Sequence, residues 1–255
     1  MNKLLLCICF ISINVFAKEV DLERVFSNSP VVGTIVIENL DGSKRYVYNE
    51  VRANTRLAVA STFKIPNTLI GVEENLVSGK SSIFKWDGKE YDIKAWNQNQ
   101  TLASAFRVSC VWCYQEIAKK VGVEKYRTYT KAMNYGVLPN NFDVQNFWLD
   151  GTLKLTAYEQ VDFLKRLYRH DLPFSAKAFN VLKEIMLAEK TQNYSMFAKT
   201  GWARRVESPV GWYVGYAEST TGTWFFATNL AVKDAKHLYL RKQITMSALK
   251  SVGAI

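Results

Sequence analysis

Strand-like runs crowd the two ends of this chain and helix-like runs fill its middle, and that division limits the folds open to it more than any other feature. Near the start, Gly33-Thr34-Ile35-Val36-Ile37 is short and β-branched, Asp41-Gly42 is a turn signal, and Arg45-Tyr46-Val47-Tyr48 follows as a partner, which predicts a hairpin. Phe63, Ile65, Leu69, Ile70, Val72 and Leu76 then recur at helical spacing until Ser78-Gly79-Lys80, with Pro66 acceptable in the first turn. Amphipathic periodicity continues over 111–121, 123–133, 157–168 and 176–187. Strand patterns return at 196–200, 211–217 and 224–228, the last two joined by Thr220-Thr221-Gly222, and a helix over 240–250 closes the chain. Strands from both ends with helices between predict an α+β fold, in which one antiparallel sheet with flanking helices carries an all-helical lobe. The sheet lobe takes about 18–60 and 194–255 and the helical lobe about 61–193, in a single domain with its site in the cleft between them.

Residues 1–17 read apart from the rest. Lys3 precedes the apolar run Leu4 to Phe16, which is too short to span a bilayer, and Val15-Phe16-Ala17 supplies the small residues of a secretory cleavage site. Cleavage there predicts an exported, periplasmic protein with no membrane insertion, a monomer or homodimer. With 48% hydrophobic and 22% charged residues the chain is not a disordered one. Loss of Lys3 leaves 32 basic against 23 acidic residues, a net +9, but the charges are scattered singly, so a basic surface is expected and a nucleic-acid partner is not.

Cleavage also leaves two cysteines, Cys110 and Cys113. Their spacing reads first as two small apolar side chains on one helix face, with a disulfide or a thiol redox motif as the alternatives. Only His170 and His237 stand beside them, far apart in sequence, so no metal site is expected.

Ser61-Thr62-Phe63-Lys64 places a hydroxyl nucleophile and an amine one helical turn apart. A serine needs a neighbouring base, and a lysine serves as one only when its surroundings lower its pKa or its chemistry changes. Alone, the same letters fit a capping serine and a solvated lysine. Ser109-Cys110-Val111, opening a helix, offers a second hydroxyl able to pass protons, or simply an N-cap. Lys199-Thr200-Gly201, taken as the end of a strand, combines a cation and a hydroxyl suited to an anionic substrate on a sheet edge. In this order and context the triplets form a strong joint signal.

With these residues in view, almost the whole mature chain resembles the penicillin-recognising serine enzymes and, within them, the class D β-lactamases, or oxacillinases. Ser61-Thr62-Phe63-Lys64-Ile65-Pro66-Asn67, Ser109-Cys110-Val111 and Lys199-Thr200-Gly201-Trp202 match the three motifs. Phe147-Trp148-Leu149-Asp150-Gly151, Gly211-Trp212-Tyr213-Val214-Gly215 and Leu240-Arg241-Lys242 match further segments. Tyr135-Gly136-Val137 departs from the usual Tyr-Gly-Asn, so the amide normally offered to that loop is missing.

The resemblance implies hydrolysis of the β-lactam amide, and with it antibiotic resistance, through an acyl-enzyme on Ser61. The oxyanion would be held by the backbone N–H groups of Ser61 and Trp202, and Ser109 would relay protons. It also implies that Lys64 carries a carboxylate derived from carbon dioxide, the only cofactor-like requirement, held by Trp148 in an apolar pocket of Phe63, Val111, Trp148 and Leu149. The substrate carboxylate falls to Arg241, Thr200 and Lys199, and Val111, Gly201 and Trp202 complete the implied substrate-binding residues. Read by themselves, Trp148 is first a core aromatic, and Arg241 is as readily a solvated helix residue. A transpeptidase or β-lactam sensor that keeps its acyl-enzyme is the runner-up. The short 203–210 connection resembles that of a carbapenem-hydrolysing subgroup, with Arg205 expected to pair with an acidic residue of the helical lobe.

Overall fold

A computed structural model describes residues 21–255, so the expected export segment lies outside the described residues. In chain order, α1 (Leu22–Phe26) leads into the hairpin β1 (Gly33–Asn39) and β2 (Arg45–Tyr48), followed by α2 (Glu50–Ala53), β3 (Leu57–Ala58) and α3 (Lys64–Glu73). The middle holds β4 (Ile83–Phe84), β5 (Gln100–Thr101), α4 (Leu102–Arg107), α5 (Val111–Val121), α6 (Val123–Ala132), β6 (Lys154–Leu155), α7 (Ala157–Arg169) and α8 (Ala176–Met186). The chain returns through β7 (Leu187–Lys190), β8 (Tyr194–Ala203), β9 (Val210–Ser219) and β10 (Gly222–Leu230) to α9 (Leu240–Ser251).

The six-stranded antiparallel sheet has the order β2-β1-β10-β9-β8-β7, so strands from the two chain ends meet where β1 pairs with β10, Val36 opposite Ala227. Both faces are covered, which is why the strands read as continuous apolar runs instead of alternating ones. Ile35, Ile37, Trp224 and Phe226 pack toward α1 and α9, whereas Val36, Phe225 and Ala227 face the helical lobe. Glu38, nearly buried on β1, accepts from Arg45 Nε at 2.6 Å and pairs with Lys165, tying the hairpin to α7. Burial alone would raise the Glu38 pKa, but the hydrogen bonds from Arg45 and Lys165 outweigh it and hold the carboxyl below its usual value.

Two elements depart from the pattern-based reading. The helix after Thr62 ends at Glu73 and not at Ser78, because Asn75 takes a left-handed φ of +57° and the Leu76 and Val77 N–H groups fold back onto the Gly71 carbonyl. That reversal sends Val77 into the core, so the apolar periodicity outlasts the helix. Gly201 does not end a strand: β8 runs on through it to Ala203, paired with β9 throughout. The residue is glycine because β8 presses on another segment there, where an added Cβ would lie 3.2 Å from both Thr62 Cγ2 and the Val59 carbonyl oxygen.

Candidate active site

The segment pressed against Gly201 is a turn of 3₁₀ helix, Ala60–Phe63, capping the start of α3, and it carries Ser61. Its entry is unusual for an L-residue: Ala60 has φ +50°, a conformation that persists only where the surroundings impose it. One turn on, Lys64 Nζ donates to Ser61 Oγ at 3.2 Å. Lys64 is 1% exposed, has no carboxylate partner among the described residues, and sits with its Nζ 4.8 Å from the Tyr114 ring centroid. Burial pushes its pKa down to about 7, so the amine is substantially neutral at physiological pH and able to accept a proton.

Trp148 stacks on Phe63 at 5.6 Å and meets Phe147 edge-on at 5.0 Å. Its indole Nε1 is buried without a hydrogen-bond partner among the described residues. An N–H donor left unpaired in an apolar setting costs on the order of 1–3 kcal/mol.

Ser109 precedes α5, but Cys110 is the N-cap, its Sγ accepting from Cys113 N. Ser109 instead adopts φ +56°, and its hydroxyl is free of capping duty. It lies 2.5 Å from Lys199 Nζ, which also donates to the Thr200 carbonyl at 3.0 Å. Burial, and then the positive charges of Lys64, Arg241 and Lys242, push the Lys199 pKa well down. The two cysteines are not free apolar side chains: a disulfide joins them with both fully buried, and the N-cap position of Cys110 brings its sulfur over the first turn toward Cys113.

Arg241 reaches the same region from α9. Its Nε donates to Leu238 O and its Nη1 to Gly201 O, each at 2.7 Å, and burial pushes its pKa down to about 10, leaving it charged at neutral pH. Gly211 makes room for it, since a Cβ there would stand 2.9 Å from Arg241 Cδ. β7 pairs with β8 only as far as Phe197, so the stretch of β8 from Ala198 onward is not covered by that neighbour.

These residues border one cleft of about 720 Å³, lined by Ser61, Ser109, Val111, Leu149, Thr200, Gly201, Trp202 and Arg241. Lys64 and Lys199 stand behind the wall, bonded to Ser61 and Ser109, and Trp148 lies deeper against Phe63. Pattern reasoning missed Tyr91, Ile93 and Trp96, which also line the cleft, because their segment has no periodicity; the only available signal was a cluster of aromatics in a loop. Val137 projects into solvent at 74% exposure. Among the described residues the expected ion pair of Arg205 does not form: Arg205 and Asp150 both line the cleft, but Asp150 accepts from Thr152 N at 2.8 Å instead.

A sheet made from both chain ends, with a serine and a lysine meeting under its β8 edge, belongs to the architecture of the penicillin-binding protein transpeptidase domain, whose family model matches residues 18–250. β-Lactamase OXA-20 of Pseudomonas aeruginosa is 39% identical over 91% of this chain and 87% of its own length. OXA-48 of Klebsiella pneumoniae is 37% identical over 88% and 85%. The class D β-lactamase YbXI from Nostoc superposes with a TM-score of 0.89 at 37% identity, covering 92% of this chain and 99% of that one. FUS-1 (OXA-85) from Fusobacterium nucleatum subsp. polymorphum gives 0.87 at 34% identity, over 92% and 98%. The chain belongs to this family, as a class D β-lactamase.

Proposed function

We propose that the protein hydrolyses the amide bond of β-lactam antibiotics through an ester on Ser61, acting after export to the periplasm and so conferring resistance. The observation that carries this reading is the buried Lys64 amine, held near neutrality, 3.2 Å from the Ser61 hydroxyl on the floor of the cleft. Lys64 takes the proton of Ser61 Oγ as the oxygen attacks the lactam carbonyl carbon. The backbone N–H groups of Ser61 and Trp202 stabilise the oxyanion, and the pressing of Gly201 onto the Val59–Thr62 turn supports their placement on one side of the cleft. As the C–N bond breaks, Ser109, bonded to Lys199, passes a proton to the departing nitrogen. Arg241, Lys199 and Thr200 hold the substrate carboxylate. Ser109 recovers its proton from Lys64, which is left neutral, and water then attacks the ester, its proton passing through Lys64 to Ser61 Oγ as the acyl C–O bond breaks.

The unpartnered Trp148 Nε1 suits a carboxylated Lys64, in which carbon dioxide has added to the neutral amine with release of a proton, supplying an oxygen base for both steps. Phe63 stacked on Trp148, with the Tyr114 ring beside the amine, keeps that corner apolar, and burial is what depresses the amine, while Val111 and Leu149 line the adjoining cleft.

A transpeptidase or sensor built on the same domain would form the same ester and keep it. Hydrolysis of a chromogenic cephalosporin separates the two. Product should accumulate through many equivalents per enzyme and faster with added bicarbonate, whereas release of a single equivalent followed by arrest would refute hydrolysis.

A further inference from the structure

The strained turn bearing Ser61 is held from a distance by a buried hydrogen-bond chain that the reaction itself does not use. Tyr135 OH donates to Gln160 Oε1 at 3.4 Å, Gln160 Nε2 donates to Thr62 Oγ1 at 3.0 Å, and Thr62 Oγ1 donates to Val59 O at 2.6 Å. All three side chains are at most 1% exposed. The chain has one direction. The Thr62 hydroxyl has a single proton, and because the Val59 carbonyl cannot donate, that proton is spent there. Thr62 Oγ1 therefore receives only a donor, which fixes the Gln160 amide with its NH₂ toward Thr62 and its oxygen toward Tyr135. Burial raises the Tyr135 pKa against smaller opposing contributions from hydrogen bonds to Thr62 and Gln160, so its hydroxyl stays protonated and bears on both side chains.

The Val59 carbonyl also accepts from Thr62 N at 3.2 Å. Two donors on one carbonyl set the orientation of the peptide between Val59 and Ala60, and the next torsion is the φ of +50° at Ala60. Ser61 follows directly. Its hydroxyl direction and its backbone N–H are thus outputs of how Thr62 is held.

Gln160 stands where it can do this because the start of α7 is itself registered to the segment entering the turn. A capping box between Thr156 and Glu159 fixes the helix start, Glu159 pairs with Arg56, and β6 pairs with β3, Leu155 opposite Leu57 and Lys154 opposite Ala58. A leucine would fill the same buried space with no amide to desolvate, so a glutamine there costs stability unless its hydrogen bonds serve another purpose. We infer that Gln160 is a positioning residue for the nucleophile: through Thr62 and the Val59 carbonyl it sets the attack geometry of Ser61, without touching substrate.

This inference rests on Ser61 being acylated, so the test reads acylation alone. Single-turnover acylation by a chromogenic cephalosporin should slow about 10- to 100-fold in Gln160→Leu, the scale expected of a misplaced reacting group, with the substrate dissociation constant little changed. Thr62→Val, which keeps the volume and removes the hydroxyl, should slow it by a similar factor. The double variant should be no slower than the slower single one, since both break the same chain, and Thr62→Ser should restore acylation to within about threefold of wild type, because it returns the hydroxyl. Should Gln160→Leu fail to fold, Thr62→Val against Thr62→Ser decides alone. A wild type that never acylates would undo the proposed function instead. A wild type that acylates, with Gln160→Leu lowering only the melting temperature or with the two losses multiplying, would overturn the positioning role.

Discussion

Ser61→Ala protein exposed briefly to a penicillin should show no covalent adduct in intact-protein mass spectrometry, and its hydrolytic rate should fall by at least about 10³-fold. The effect is large because neither neighbouring hydroxyl can substitute. Thr62 spends its proton on the Val59 carbonyl and accepts from Gln160, and Ser109 is bonded to Lys199 and not to Lys64. The substitution itself is mild: the Ser61 hydroxyl donates to no backbone group among the described residues, so removal of its oxygen leaves the turn and α3 intact. An adduct of unchanged yield on the Ser61→Ala protein would move the nucleophile elsewhere.

Trp148→Phe and Trp148→Ala should separate a donor from a packing residue. The indole lies against Phe63 and Phe147 with its N–H unmet, so Trp148→Phe keeps most of the stacking and removes only the donor. Deacylation should slow by about 10²-fold, the usual cost of losing one aimed donor, while acylation falls less, and high bicarbonate should recover part of the rate. Trp148→Ala adds a cavity to the same loss and should cost a further ~3 kcal/mol or more in urea unfolding. If both steps fall equally and bicarbonate has no effect, Trp148 is only filling space.

Much of the site was legible because short-range rules place its parts. Ser61 and Lys64 share a helix face by spacing alone, and the hairpin 33–48, α5, α7 and α9 follow from turn chemistry and periodicity. What escaped was set by contacts between distant segments. Gly201 looks like a turn glycine until β8 is seen pressing on the Val59–Thr62 turn. Cys110 and Cys113 lie one helical turn apart whether bonded or not, so their spacing cannot tell a disulfide from two thiols. Gln160 reaches Thr62 across 98 residues, and no local pattern announces such a pair. Tyr91 and Trp96 border the cleft from an aperiodic loop, where sequence carries composition but no direction. β7, four exposed residues at the sheet edge, has no apolar face to signal it.

The proposed hydrolysis turns on a lysine whose burial favours the neutral amine. An ordinary lysine amine stays protonated from pH 6 to 8 and does not react with carbon dioxide, whereas Lys64, pushed down to about 7, passes from mostly charged to mostly neutral across that range. Carbamate formation needs the neutral amine, so the reactive fraction grows as pH rises. The ¹³C NMR spectrum of the protein at constant dissolved ¹³C-labelled carbon dioxide should therefore show a single protein-bound carbamate resonance that strengthens from pH 6 to pH 8 and is missing in Lys64→Ala. A spectrum with no such resonance at any pH in that range, or one that persists without Lys64, would contradict it.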